Sequence, residues 1–306
     1  MKTINLKNFS AYGGKKFKAR KVEHFNHFRT EFGKLKSITI FIPGKEIHKL
    51  SNPNNYQHIA QINSDELKKE FISLKKYFIK NKINALILDR PKLKLQNYFF
   101  TRDLFWSGPS GLIVSRMGSE IRKNEETTFL KWAIKNNLNL HLKMQSPCLL
   151  EGADILWASS STLLIGTNNR TNNETFELMK NLFPEINVIN IKLPKQVQHL
   201  LGMVQIVDKN KVLLRHQIAP ITLLRVLKKL KYQIIKVDES YEVTHLQAMN
   251  IVTIKPNTII MPDDCPNSEN IYLKNHIRVD AKFKIKELRK AGGGIACAIG
   301  ILERES

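Results

Sequence analysis

Short apolar runs recur along the chain about every fifty residues: Gly111-Leu-Ile-Val114, Thr162-Leu-Leu-Ile165, Lys211-Val-Leu-Leu214 and Thr258-Ile-Ile-Met261. Runs this brief, bounded by polar stretches and rich in branched side chains, predict strands rather than buried helices. Two of them are followed by an arginine and a helix start, at Arg122-Lys-Asn-Glu-Glu-Thr-Thr-Phe129 and Arg170-Thr-Asn-Asn-Glu-Thr-Phe176. A third keeps its helix over 221–230 without the arginine. Further strands are predicted over 138–142, 188–191 and 232–237, so that a unit reads strand, strand, helix, strand. A fixed period of this length marks repeated supersecondary modules.

The chain ahead of these units fits the same scheme. A strand is predicted over Ile38 to Ile42, stopped by Pro43-Gly44, and another over 85–88. Between them, from about Asp65 to Lys80, Leu67, Phe71, Leu74 and Phe78 share one face of an amphipathic helix, with Ser64 as the expected N-cap. No linker rich in Pro, Gly or Ser interrupts the pattern, so residues 1–306 are expected to form one α/β domain of ββαβ modules around a central axis. A doubly wound open sheet would alternate single strands with helices instead.

Composition narrows the class. With 42% hydrophobic and 25% charged residues the chain reads as globular. Cys148, Cys265 and Cys297 are odd in number and have no paired spacing, which argues for a reducing, cytoplasmic setting and against a disulfide framework or zinc site. Neither a signal-peptide core near Met1 nor an apolar stretch of membrane-spanning length is present, so no membrane association is expected. The net charge of +22 would suggest nucleic acid, but lysines such as Lys15, Lys68, Lys135 and Lys274 are spread through the chain rather than gathered into an arm. A basic nucleic-acid-binding protein is therefore the lesser reading. Homo-oligomerisation is left open. His24, His27, His48 and His58 lack metal-ligand spacing, and neither a metal nor another cofactor is expected.

Candidate chemistry clusters just ahead of the repeated strands. These segments hold Asn97-Tyr-Phe-Phe-Thr-Arg-Asp103, Glu151-Gly-Ala-Asp154, His199-Leu-Leu-Gly202 and His245, and Cys297 follows the last unit. Modules set around an axis would bring such positions together. Cys297 comes after Gly292-Gly293-Gly294 and is expected in a buried apolar strand, with the glycines allowing a close backbone approach. A thiol beside an imidazole supplies a nucleophile and an acid/base, and Glu151 or Asp154 would orient the ring. Asp103 has no electrophilic role toward acyl groups but matches a planar cation offering a fork of N–H donors, which points to a guanidinium.

In order and approximate spacing, Phe100-Thr-Arg-Asp103, Glu151-Gly-Ala-Asp154, Arg170-Thr-Asn172, His199-Leu200 and Gly293-Gly294-Ile295-Ala296-Cys297 resemble the guanidine-modifying (pentein) superfamily of arginine deiminases, dimethylargininases and glycine amidinotransferases. That resemblance implies an α/β propeller of ββαβ modules with the site on its pseudo-symmetry axis. It implies attack by Cys297 on the guanidinium carbon of a small guanidino substrate, a covalent amidino-thioether, and His199 first protonating the departing amine and then activating water. By the same resemblance Glu151 would orient His199 or share the guanidinium, Asp103 would grip it with Asp154 alongside, and Asn97, Arg122 and Arg170 would bind the amino-acid end. Deiminases and amidinotransferases usually carry His-x-Asp where this chain has His199-Leu200-Leu201. An apolar Leu201 disfavours a fully hydrogen-bonding guanidinium and tolerates an alkylated one. Dimethylargininases also lack that aspartate, and Met261-Pro-Asp-Asp264 with Asn270 is similar to a segment of that branch. The resemblance thus favours hydrolysis of a substituted arginine to citrulline and an amine over plain deimination. Amidino transfer and a catalytically silent basic binding protein are the alternatives.

Overall fold

The computed structural model describes residues 28–47 and 52–306. The readings at the N-terminus, at Lys15 and at His24, His27 and His48 lie outside these residues. Among the described residues no helix is long and apolar enough to cross a membrane.

The chain is mixed α/β, and its described strands form five three-stranded sheets. After β1 (Leu35–Ile40) come α1 (Ser64–Lys80) and β2 (Asn84–Ile87). Then follow β3 (Phe105–Gly108), β4 (Gly111–Val114), α2 (Glu125–Lys135) and β5 (Leu140–Lys143). The next unit is β6 (Ile155–Ser159), β7 (Thr162–Thr167), α3 (Asn173–Leu182) and β8 (Asn187–Lys192). It precedes β9 (Val204–Asp208), β10 (Lys211–Arg215), α4 (Ile221–Lys229) and β11 (Gln233–Val237). After the short α5 (Tyr241–Thr244) come β12 (Val252–Lys255), β13 (Thr258–Pro262), α6 (Pro266–Lys274) and β14 (Arg278–Phe283). The chain closes with α7 (Lys286–Lys290) and β15 (Gly300–Arg304).

In each of the middle three sheets and in the β12-β13-β14 sheet the first two strands are antiparallel and the third returns parallel after the helix. The remaining sheet is assembled from both ends of the chain, with β15 antiparallel and β2 parallel to β1. All four repeated apolar runs are the central strands of their sheets.

Local chemistry explains the elements. Leu67, Phe71, Leu74 and Phe78 are the buried face of α1, and Asp65, Glu66 and Lys80 suit the two ends of its dipole. The helix begins one residue earlier than expected, so that Asn63 rather than Ser64 is the cap: its side-chain oxygen accepts from the amides of Asp65 and Glu66. Gly111 turns the β3-β4 hairpin at φ +126°, a conformation that L side chains rarely adopt. Inside, Phe105 stacks on Phe129 at 4.7 Å and Trp106 lies 5.7 Å from Trp157, tying β3, α2 and β6 into one apolar cluster.

The region around Cys297 departs from the expectation. Residues 295–298 form a turn and the last strand begins only at Gly300. The amides of Ala296 and Cys297 donate to the Asn250 side-chain oxygen at 2.8 and 3.2 Å, and that of Ala298 to the Ile295 carbonyl at 3.1 Å. A long-range polar side chain thus captures the amides that a strand ladder would have used. An apolar run cannot announce that.

Candidate active site

Five sheets deliver their chemistry from the same place, the short segment that leads into the first strand. Asp103 ends up before β3, Glu151 and Asp154 before β6, His199 before β9, Asn250 before β12 and Cys297 before β15. Two glycines allow these segments to crowd together. A Cβ on Gly152 would collide with the backbone oxygens of Arg102 and Phe105, and one on Gly294 would meet the Asn250 side chain at 2.7 Å.

A cavity of about 450 Å³ results, with Asp103, Arg122, His199, Leu201, Asn250 and Cys297 in its wall. Cys297 is half-buried, and its sulfur accepts a hydrogen bond from the Asn250 amide at 3.0 Å. Burial, aided by the Asp103 carboxylate, pushes the thiol up to about 11 against the opposing pull of Asn250. The imidazole is better placed to carry charge: burial resists protonation of His199, but Asp154, Asp103 and Glu151 outweigh it and raise its pKa to about 9. Near neutral pH the empty cavity therefore holds a neutral thiol and an imidazolium.

The carboxylates divide their work differently from what the resemblance implied. Asp154 does not stand beside Asp103 facing the cavity. It sits behind the imidazole, its Oδ2 3.2 Å from His199 Nδ1 and accepting from the Thr171 hydroxyl at 2.7 Å, while Oδ1 accepts from the Leu200 amide at 3.0 Å. Glu151, fully buried, lies 3.3 Å from His199 Nε2 and also accepts from Arg170 Nη1 at 3.2 Å. Of these three, Asp103 alone keeps an oxygen free: Oδ1 is buried without a hydrogen-bond partner among the described residues, 3.9 Å from His199 Nε2.

Arg122 also departs from expectation. Far from offering an open cation, its guanidinium is buried, donates to Asp103 Oδ2 at 2.6 Å and to Glu125 Oε2 at 2.8 and 3.0 Å, and lies 5.8 Å from the Phe100 ring centre. Glu125, three residues on and wholly buried, is held up to about 7 by desolvation despite that pairing. Asn97 is likewise committed, bonded to His58 Nε2 at 2.8 Å and to the Tyr56 carbonyl at 3.0 Å, so it anchors segment 53–58. Arg170 reaches Gln57 at 2.8 Å, and Gln57 lines the cavity. His245 is exposed on the cavity wall and stacked on Tyr241 at 4.7 Å. The segment from Met261 to Asp264, with Asn270, stays outside the wall, and Asp264 pairs with Arg289 at 2.5 Å.

Asp103, Glu151 and His199 offer ligand atoms within 4.8 Å of one another, close enough for a metal ion. Arg122 Nη1 already bridges the two carboxylates, at 2.6 and 3.4 Å, and fills that electrostatic role with a cation of the protein's own.

Asn250 and Glu125 were missed. Asn250 carries no motif, but it holds the position before β12 that the other segments fill with catalytic residue types. Replacing it with alanine removes the donor to sulfur and the acceptor for two amides. A hydrogen bond to a charged group is worth ~1.5–3 kcal/mol, so kcat/KM is expected to fall about tenfold or more, and thiol alkylation should shift to higher pH.

Comparison with known proteins follows the same lines. The arginine deiminase family profile matches residues 91–225. The chain is 30% identical over 145 residues to the arginine deiminase of Metamycoplasma hominis, covering 42% of this chain and 34% of that one. It is 31% identical over 131 residues to that of Bacillus cereus, covering 38% and 32%. The match thus spans about a third of these relatives' length. Among solved structures, a dimethylarginine dimethylaminohydrolase from Pseudomonas aeruginosa complexed with citrulline superposes with a TM-score of 0.70 at 18% identity, covering 87% of this chain and 99% of the other. The N-terminal domain of a cyanobacterial arginine dihydrolase bound to product gives 0.74 at 18%, covering 88% and 99%. An amidinotransferase of saxitoxin biosynthesis from Microseira wollei gives 0.72 at 11%, covering 93% and 98%. At such identities the superpositions establish the fold.

Proposed function

We infer that this chain, a member of the guanidine-modifying (pentein) superfamily, hydrolyses a small guanidino compound, with an alkylated arginine favoured, to a ureido product and an amine. The free Asp103 Oδ1 carries the inference: a buried acceptor without a partner, in the wall that also holds Cys297 and His199, calls for an N–H donor from a ligand. A guanidinium donating to Oδ1 would occupy the cavity that Cys297 also lines.

Arrival of that cation beside the sulfur lowers the thiol pKa and favours the thiolate, the thiol proton leaving to solvent because His199 already carries one. The thiolate adds to the guanidinium carbon, the His199 imidazolium gives its proton to the departing amine, and an amidino-thioether remains on Cys297. Neutral His199 then takes a proton from water, which adds to the same carbon and expels the thiolate. Asp154 and Glu151 hold the ring through both steps. Arg170, assigned to the substrate's amino-acid end together with Arg122 and Asn97, is proposed to keep that part, with Gln57 beside it in place of the other two. Leu201, 4% exposed, presents alkyl surface where a second carboxylate would grip unsubstituted nitrogen.

The five sheets are read as blades of one α/β propeller domain. Support comes from their cyclic adjacency: β15 lies against β3, β3 against the turn before β6, β6 against the turn before β9, and β12 against both β9 and β1.

Incubation with arginine, methylated arginines and related guanidino compounds tests the activity. Release of free amine with a ureido product is expected, whereas ornithine together with a new guanidino product would replace hydrolysis by amidino transfer. The pH dependence is separate. Alkylation of Cys297 in the free protein should titrate near 11 rather than the ~8.5 of an ordinary thiol, and turnover should decline as pH rises through about 9, where His199 loses the proton it must donate. A thiol titrating below 7 would contradict the neutral resting state.

A further inference from the structure

Leu201 walls a second cavity as well, of about 20 Å³, whose ionisable lining is Glu31, Arg102 and Arg304. The charges there do not cancel. Glu31 is the one carboxylate, and it is already engaged: Oε1 accepts from the Trp157 amide at 3.0 Å and Oε2 lies 3.4 Å from Arg102 Nη2. Arg304, 2% exposed, donates through Nη1 to the carbonyls of Gly33 and Thr253 at 2.8 and 2.7 Å, both neutral acceptors. Its Nε is buried without a partner, and among the described residues no carboxylate oxygen lies within 4.0 Å of it. Much of the remaining wall is aliphatic, including Val204, Ile206 and Ile299.

Two guanidinium groups against one carboxylate leave an excess positive charge beside aliphatic side chains, and an uncompensated buried charge is strongly unfavourable. We propose that this cavity binds a small monatomic anion of chloride size, held between Arg102 and Arg304. Room for one water takes ~10–15 Å³, so 20 Å³ admits such an ion. Burial depresses Arg304 to about 10, with Glu31 pulling it up and Arg102 pushing it further down, so that the one carboxylate does not make good the cost of burying this cation, which stays protonated near neutral pH. The site is independent of the catalytic reading: it requires neither Cys297 nor a guanidino substrate.

Thermal unfolding of the full chain in sodium chloride and in sodium gluconate, at equal ionic strength, tests it. The melting temperature should rise saturably with chloride but not with gluconate, which is too large to enter, because an ion that binds only the folded state stabilises it by mass action. Arg304→Met, which removes the excess charge and keeps an unbranched side chain, should abolish the difference. Crystals of the unaltered protein grown in bromide keep the test readable should the variant fail to fold: an anomalous peak is expected beside Arg304 Nε. Equal melting temperatures in the two salts, a chloride dependence that Arg304→Met retains, or the absence of a bromide peak overturns the proposal.

Discussion

Exchanging Cys297 for serine is expected to abolish turnover, by on the order of 10⁴-fold or more as when a nucleophile is removed from other covalent enzymes, while leaving thermal unfolding nearly unchanged. The second half follows from the surroundings. The residue is half-buried, and the hydrogen bond its sulfur receives from Asn250 Nδ2 can be accepted by a hydroxyl oxygen as well. The first half follows from proton affinity. A guanidinium beside the thiol has to draw a group down from about 11, which neighbouring charge can do, whereas a serine hydroxyl starts far higher. Nor can His199 rescue the serine, because its pKa near 9 leaves it protonated and unable to act as a base near neutral pH. Mass spectrometry of quenched reactions supplies the decisive readout: an amidino adduct on the unaltered chain, and none on the variant. Undiminished turnover in the serine variant would remove covalent catalysis by this residue.

The architecture was legible because it is written in a periodic property. Four apolar runs at a near-constant interval became the central strands of four sheets, and the fifth sheet followed from joining the chain's two ends through β15 and β1. The placement of Asp103, Glu151, Asp154, His199 and Cys297 was also legible, since each precedes the first strand of its sheet. Their division of labour was not. Glu151 and Asp154 are three residues apart on one turn, and whether a given carboxylate meets the imidazole or the cavity depends on backbone bonds such as Leu200 N to Asp154 Oδ1, which no spacing encodes. Arg122 shows the same limit. Its fate is decided by Glu125, one helical turn away and buried, rather than by the arginine's own place in a motif. Asn250 stood in a segment where the sequence offered only His245, an imidazole that lies exposed on the cavity wall.

Leu201→Asp tests substrate selectivity. Leu201 is almost fully buried in the cavity wall two residues beyond His199, so aspartate there offers the ring side of the cavity a second acceptor for guanidinium N–H groups. Unmethylated arginine gains a charge-assisted bond of ~1.5–3 kcal/mol, equivalent to about 10–150-fold in kcat/KM at 1.4 kcal/mol per tenfold. A dimethylated nitrogen has no N–H to give and gains nothing, so the ratio of the two specificity constants should move toward arginine by about tenfold or more. The substitution also buries charge where an alkyl group was, and a lower melting temperature is expected alongside. Leu201→Asn separates the two effects: it carries the same loss of packing without the charge and should leave the ratio closer to that of leucine. Because Leu201 also borders the cavity of Arg304, the new carboxylate has a second direction in which to turn. Turned that way it would neutralise Arg304 and remove the chloride dependence of stability while leaving the substrate ratio alone. An unchanged ratio with chloride dependence intact would mean that Leu201 does not select the substrate.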